Sequence, residues 1–182
     1  MWLKICLSSF FILAAHMAVF AGAQRVRLAW TDDPSTTVTI CWEQTGSSEA
    51  VVHYDTVDRG SDWKKYKTRV GPTWLVDHKD MKNRIANLSG LQPGTKYYFL
   101  LRDADGSGRR LAFRTAPAGP EPFTFVMGGD SSANREARRR ANQTVAKLSP
   151  LFVAFNGNFT ASGSPEEWTD WLDDWQLTIS DD

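Results

Sequence analysis

An all-β sandwich over residues 24–117, followed by a short α/β unit over residues 118–182, is the fold this sequence predicts. Three observations carry that expectation. Short apolar or alternating runs recur between turn signals through residues 24–117, at the spacing of a sandwich. The pattern then breaks at residues 116–122, where three prolines and one glycine make a stiff linker. Beyond the linker an apolar run, a helical period and a second apolar run follow in that order.

Composition narrows the function classes. The 182 residues carry 21 basic and 21 acidic side chains, so no global field recruits nucleic acid or an anionic membrane, and neither is expected as a partner. Eight tryptophans and 42% apolar residues indicate a chain that builds a core. Residues 1–23 read as a secretory signal peptide: Lys4 is a positive start, residues 5–20 are mostly apolar, and Ala21-Gly22-Ala23 offers small residues for cleavage. Ser8, Ser9 and His16 interrupt the apolar stretch and argue against a membrane anchor. The expected location is therefore secreted or periplasmic. Cleavage after Ala23 removes Cys6 and leaves Cys41 alone, so stability outside the cell must come from packing.

Seven strands are expected in the first domain, over residues 25–30, 36–43, 50–55, 64–70, 83–88, 96–103 and 109–115. In the second, Val38, Ile40 and Trp42 share one face by alternation, which puts the indole in the core and the Cys41 thiol, expected to be inert, on the other side. Leu91-Gln92-Pro93-Gly94-Thr95-Lys96-Tyr97 is a Pro/Gly turn leading to a tyrosine at the start of a strand, the pattern of a tyrosine corner. Its phenol should bond back to the turn.

In the second unit, Phe123-Thr124-Phe125-Val126-Met127 suits a strand buried on both faces. Residues 134–148 predict a helix with Ala137, Ala141, Val145 and Leu148 on its inner face and Arg135, Arg138, Arg139 and Arg140 in solvent. A second buried strand is expected at residues 151–155. Ser164-Pro165-Glu166-Glu167 then predicts a capped helix that packs through Trp168, Trp171, Leu172 and Trp175, with Glu166, Glu167, Asp170, Asp173 and Asp174 solvated. With the chain ending at Asp182, that aromatic face is expected to be short of partners and prone to association.

Each apolar strand of this unit runs into a glycine and a polar residue, Gly129-Asp130 and Gly157-Asn158. In a strand, helix, parallel strand unit, ligands collect at the carboxyl ends of the strands, where both residues fall.

The Trp42 strand and the tyrosine corner resemble a fibronectin type III fold. The strand containing Val26-Arg27-Leu28, and the run from His78 through residues 91–98 to Phe113-Arg114-Thr115-Ala116-Pro117, resemble more narrowly the N-terminal domain of purple acid phosphatases. The resemblance covers residues 24–117, and it implies that residues 118–182 are the start of a metallophosphoesterase domain, truncated here. It further implies a dinuclear metal centre of iron with zinc, manganese or iron, acting on a phosphate ester. Asp130 then stands at a metal ligand, and Asn158 at the position of the carboxylate that bridges both metals. A unit charge about 2 Å from a cation interacts by roughly 8 kcal/mol per unit metal charge at a dielectric of about 20. An amide has only a dipole to offer in its place.

Other positions also depart from the family pattern: Ala161 stands where it has a tyrosine, and Ser132 where it has a glycine. Reading Gly157-Asn158-Phe159-Thr160 as a relic of a later Gly-Asn-His motif would instead put Phe159 at a histidine position. Beyond Cys41, only His53 and His78 remain as soft or nitrogen ligands after residue 23, both in the sandwich. The expectation is the N-terminal part of a secreted phosphatase-like hydrolase that is itself inactive and holds no stable metal. The alternative is a noncatalytic fibronectin III-type binding module with a degenerate appendage. Three glycosylation sequons start at Asn87, Asn142 and Asn158. Oligomeric state is left open.

Overall fold

A computed structural model describes residues 21–179. Residues 1–20, and with them most of the expected signal peptide, lie outside the described residues. Two four-stranded antiparallel sheets form the sandwich. The first runs β1 (Ala23–Ala29), β2 (Val38–Gln44), β6 (Met81–Leu88), β5 (Trp74–His78), and the second β4 (Thr68–Val70), β3 (Val51–Asp55), β7 (Lys96–Arg102), β8 (Leu111–Arg114). Period-two alternation places Val38, Ile40 and Trp42 of β2 against Val52, Phe99 and Leu101 of the facing sheet, all at most 3% exposed. The indole of Trp42 donates to Gln44 Oε1 at 3.0 Å, and Cys41 lies on the outer face as expected. Burial pushes the Cys41 thiol up from its usual range, while the charge of Arg27 opposes this.

The tyrosine corner is formed. Tyr97 is buried, and its hydroxyl accepts from the Gln92 amide at 2.9 Å while its ring stacks on Phe113. Removing that oxygen by Tyr97→Phe leaves the Gln92 N–H without its acceptor. A loss of about 1–2 kcal/mol in a urea titration is expected, with the fold retained.

Two strand expectations need correction. Residues 64–70 are not one strand: Trp63–Lys65 is a turn of 3-10 helix and only Thr68–Val70 pairs with β3. The chain curls there to bury Tyr66, whose hydroxyl donates to Gly60 O at 2.8 Å. Strand β5 was not expected at all. It joins β6 through a two-residue turn, Lys79-Asp80, with both φ values positive (49° and 61°), a hairpin geometry usually announced by Asn-Gly or Asp-Gly. Trp74, Leu75 and Val76 on this edge strand are all exposed.

The second unit contains β9 (Phe125–Gly128), α1 (Arg135–Leu148), β10 (Phe152–Phe155) and α2 (Pro165–Trp175). Strands β9 and β10 pair in parallel, Phe125 opposite Phe152 through Gly128 opposite Phe155. Asn134 caps α1 by accepting from Ala137 N, and Ser164 caps α2 by accepting from Glu167 N. The Glu167 carboxylate reaches back to accept from Ser162 N and Gly163 N, which holds it below the usual carboxylate range.

Burial in this unit departs from the hydrophobic pattern. Phe125 (47%) and Met127 (72%) on β9 are exposed, so this strand is not covered on both faces. Helix α1 is turned over relative to expectation: Ala137, Ala141 and Leu148 face solvent, and the charged side docks on α2. The cause is Asp174, which is completely buried rather than solvated. Its carboxylate takes Arg138 Nη2 at 2.8 Å, Arg139 Nη1 at 2.8 Å and Arg135 Nε at 3.3 Å, and its carbonyl accepts from Asn142 Nδ2 at 2.7 Å. A buried carboxylate must be paired, and on α1 only the arginine side can pair it. Arg140 alone of the four makes no contact with Asp174 and pairs with Glu136 one turn away, while the partly exposed Arg135 also pairs with Asp170 at 2.6 Å. The tryptophans of α2 are not bare either: Trp168, Trp171 and Trp175 pack with Phe155 and Phe159 in one aromatic cluster that also touches Met81.

A bulge in β1 joins the two units. The register of β1 on β2 shifts between Gln24 and Arg27, with Arg25 in the left-handed region at φ 52°. The bulge turns Arg25 toward Glu43 and Asp173 (3.0 Å to the latter), and frees Val26 N to donate to Gln176 Oε1 at 2.7 Å.

Candidate metal centre

Residues just beyond the ends of β9 and β10 form one surface. After Gly128 and Phe155 the two segments keep exchanging bonds: Asn156 N to Gly128 O at 2.7 Å, Asp130 N to Gly157 O at 3.1 Å, and Ser131 N to Asn158 O at 3.2 Å. This continued pairing brings Asp130 and Asn158 side by side. Both have left-handed backbones, φ 52° and 54°, which short polar side chains tolerate better than other non-glycine residues. Gly129 lies close to the partner loop, since a Cβ there would stand 3.4 Å from that of Asn156.

The two side chains meet directly. Asn158 Nδ2 donates to Asp130 Oδ1, and both residues are exposed. The loop behind them is anchored from α1 and α2: Trp171 Nε1 donates to Ser131 Oγ at 2.9 Å, and Arg138 Nη1 to Ser131 O at 2.7 Å. Arg138 is thus committed to Ser131 and Asp174, rather than poised beside a ligand. Phe159 turns inward to stack on Phe155 at 5.1 Å, so it belongs to the aromatic cluster and not to the site.

A dinuclear cation centre does not fit these residues. Two cations held close together require an anionic oxygen between them, and the groups here are one carboxylate and one amide. The amide presents an N–H to the carboxylate oxygen, which consumes a lone pair that a cation would use. Among the described residues no three His, Cys, Asp or Glu side chains are grouped closely enough to hold a metal. His53 lies on β3 and His78 on β5, both in the sandwich sheets.

Of the three sequons, the one at Asn142 is closed in the folded chain. Its side chain is buried and Nδ2 already donates to Asp174 O. Asn158 is exposed, and Asn87 on β6 is half-buried with its carbonyl bonded to Thr39.

Among known families, the model described as "Purple acid Phosphatase, N-terminal domain" matches residues 23–115. No curated protein matches the chain. Of the solved structures, PhoD superposes with a TM-score of 0.63 at 11% identity, over 87% of this chain and 37% of PhoD. That likeness is one of fold, and this chain spans little more than a third of the PhoD length. The fn3 domain of human contactin 1 aligns at 18% identity and a TM-score of 0.37, over 63% of this chain and 98% of that domain. A fibronectin type III domain of human KIAA0970 protein aligns at 11% identity and a TM-score of 0.38, over 57% of this chain and 80% of that one.

Proposed function

The chain belongs to the purple acid phosphatase N-terminal domain family, and from that premise we propose that it is an exported, phosphatase-like protein whose own residues 118–182 do not hydrolyse phosphate esters. The fold of its second unit supports a metallophosphoesterase ancestry, because a polar pair stands where parallel β9 and β10 end. One observation carries the proposal of inactivity. The amide of Asn158 is hydrogen-bonded to Asp130, the residue that the family likeness makes a metal ligand. Metal ions in this family would activate water for attack on phosphorus, and the pair offers neither a bridging anion nor a nitrogen ligand.

Export rests on the leader-like residues 1–23 and is checked by finding the mature protein outside the cell, beginning near Gln24. Retention of the unprocessed chain in the cell contradicts it. For the chemistry, the full chain is incubated with iron, zinc and manganese salts, then assayed with p-nitrophenyl phosphate and by elemental analysis of the desalted protein. Turnover at the level of the metal salts alone is expected, with well under one metal bound per chain. Asn158→Asp is expected to give the same result, because one added carboxylate leaves the nitrogen ligands missing. Sustained turnover with about two metals retained per chain overturns the reading.

A further inference from the structure

Away from the strand ends of the second unit, the outer face of the sheet β4-β3-β7-β8 carries a cleft of about 470 Å³ lined by His53, Trp63, Arg69, Arg102, Glu49 and Asp103. The strand register assembles it. His53 on β3 is directly opposite Arg69 on β4, and Arg102 on β7 is directly opposite Val51, two residues along the same face of β3. Trp63, from the 3-10 turn, closes one side. Its ring meets His53 edge-on at 5.4 Å and lies under the guanidinium of Arg102 at 4.6 Å.

The charges in this cleft are unevenly satisfied. Glu49 is taken by Arg84, whose Nε donates to it at 2.7 Å. Both oxygens of Asp103 are occupied by neutral donors of the mature chain, one by Gln44 Nε2 and the other by Asp105 N and Gly106 N, at 2.9–3.0 Å. Arg69 forms no ion pair among the described residues. Arg102 donates through Nη1 to the Asp103 carbonyl, while its buried Nε meets no acceptor. Two guanidiniums thus face one imidazole with no carboxylate paired to either. Burial, and then the charges of Arg69 and Arg102, push His53 below its usual pKa, so the ring stands neutral between them at pH 7.

We propose that this cleft is a binding site for a small oxyanion, phosphate or carboxylate, held by Arg69 and Arg102 against the indole of Trp63. Such an anion supplies the acceptor that Arg69 lacks and that Nη2 of Arg102 can still take, and stacking on Trp63 holds the Arg102 guanidinium in place at the cleft. The site is independent of the Asp130 and Asn158 pair, and stands whether or not the chain hydrolyses anything.

The test is a titration of the full chain with inorganic phosphate, and separately with acetate, at matched ionic strength, following the imidazole resonances of His53 and His78 and the indole N–H of Trp63 by NMR. Saturable shifts at His53 and Trp63, with His78 unmoved, are expected, and the His53 pKa should rise as phosphate binds because the anion offsets the two cations. Phosphate alone saturating identifies a dianion site, and both saturating identifies a general oxyanion site. Arg69→Gln, at an exposed position whose loss leaves the core intact, should weaken binding at least about tenfold. Arg102→Lys keeps the charge but removes the planar guanidinium that stacks on Trp63, and should weaken it to a smaller extent. Non-saturating shifts, shifts at His78 equal to those at His53, or an Arg69→Gln variant that binds as the parent does overturn the proposal.

Discussion

Asp174→Ala is expected to destabilise the second unit by about 3–5 kcal/mol, the cost of leaving a buried charge without its partner. Asp174 has no exposed surface, and the Arg138 side chain that meets it is only 8% exposed. Removing the carboxylate leaves that guanidinium in the interface between α1 and α2 with the neutral Ser131 carbonyl as its remaining acceptor and releases Arg139, while Arg135 keeps Asp170 at 2.6 Å. Trp171 and Trp175 stack at 4.8 Å beside it, so their fluorescence during urea titration reports the loss. Asp174→Asn keeps the shape and one acceptor oxygen, and should cost less. A variant with alanine that unfolds at the same urea concentration as the parent would show that the arginine network is ornamental. The double change Asp174→Leu with Arg138→Met should recover part of the loss, because an apolar pair of similar volume needs no ionic partner.

Trp42→Ala should have an effect of similar size on the sandwich, about 3–5 kcal/mol, for a different reason. The indole has no exposed surface and is among the largest side chains buried in the core. Its loss combines the transfer term with a cavity that β2, held between β1 and β6, cannot collapse to fill. It also removes the donor to Gln44 Oε1, although Ala50 N still bonds that oxygen at 3.0 Å. Since a domain of this kind is stable by only about 5–15 kcal/mol, most of the margin disappears. A melting curve by far-UV circular dichroism checks this, and a loss under about 1 kcal/mol would mean that the core does not depend on this ring.

The sandwich was legible because period-two alternation and turn chemistry act locally. Val38, Ile40 and Trp42 declare an inward face within five residues, and Pro93-Gly94 with Tyr97 declares a corner within another five. The missed strand β5 had the opposite character. Its turn residues, Lys79 and Asp80, carry no strong hairpin signal, and its apolar side chains are exposed, so neither pattern nor turn announced it.

The second unit was harder for a physical reason. Hydrophobic periodicity assigns the inner face of a helix on the premise that apolar stripes are buried, and in α1 that premise fails. One buried carboxylate on α2 decides the orientation, through arginines that a sequence reading assigns to solvent. Of Asp170, Asp173 and Asp174, helical spacing puts Asp174 nearest the tryptophan stripe, yet a carboxylate beside an apolar stripe reads as solvated until its partners are known. The oxyanion cleft was invisible for a related reason, since Arg69 and Arg102 are 33 positions apart in the chain and become neighbours of His53 only through the pairing of three strands.

The sequence by itself determined the sandwich, the strand, helix, strand order after it, and the chemical poverty of the Asp130 and Asn158 pair, because each depends on residue identity or short-range period. Tertiary structure alone decided that the amide of Asn158 bonds the Asp130 carboxylate, that three arginines converge on Asp174, and that two others gather beside His53 on the second sheet with no ion pair among the described residues. Those outcomes turn on which charges meet across distant segments. Burial makes an unpaired charge costly, so the final arrangement is settled by partners that local sequence cannot name.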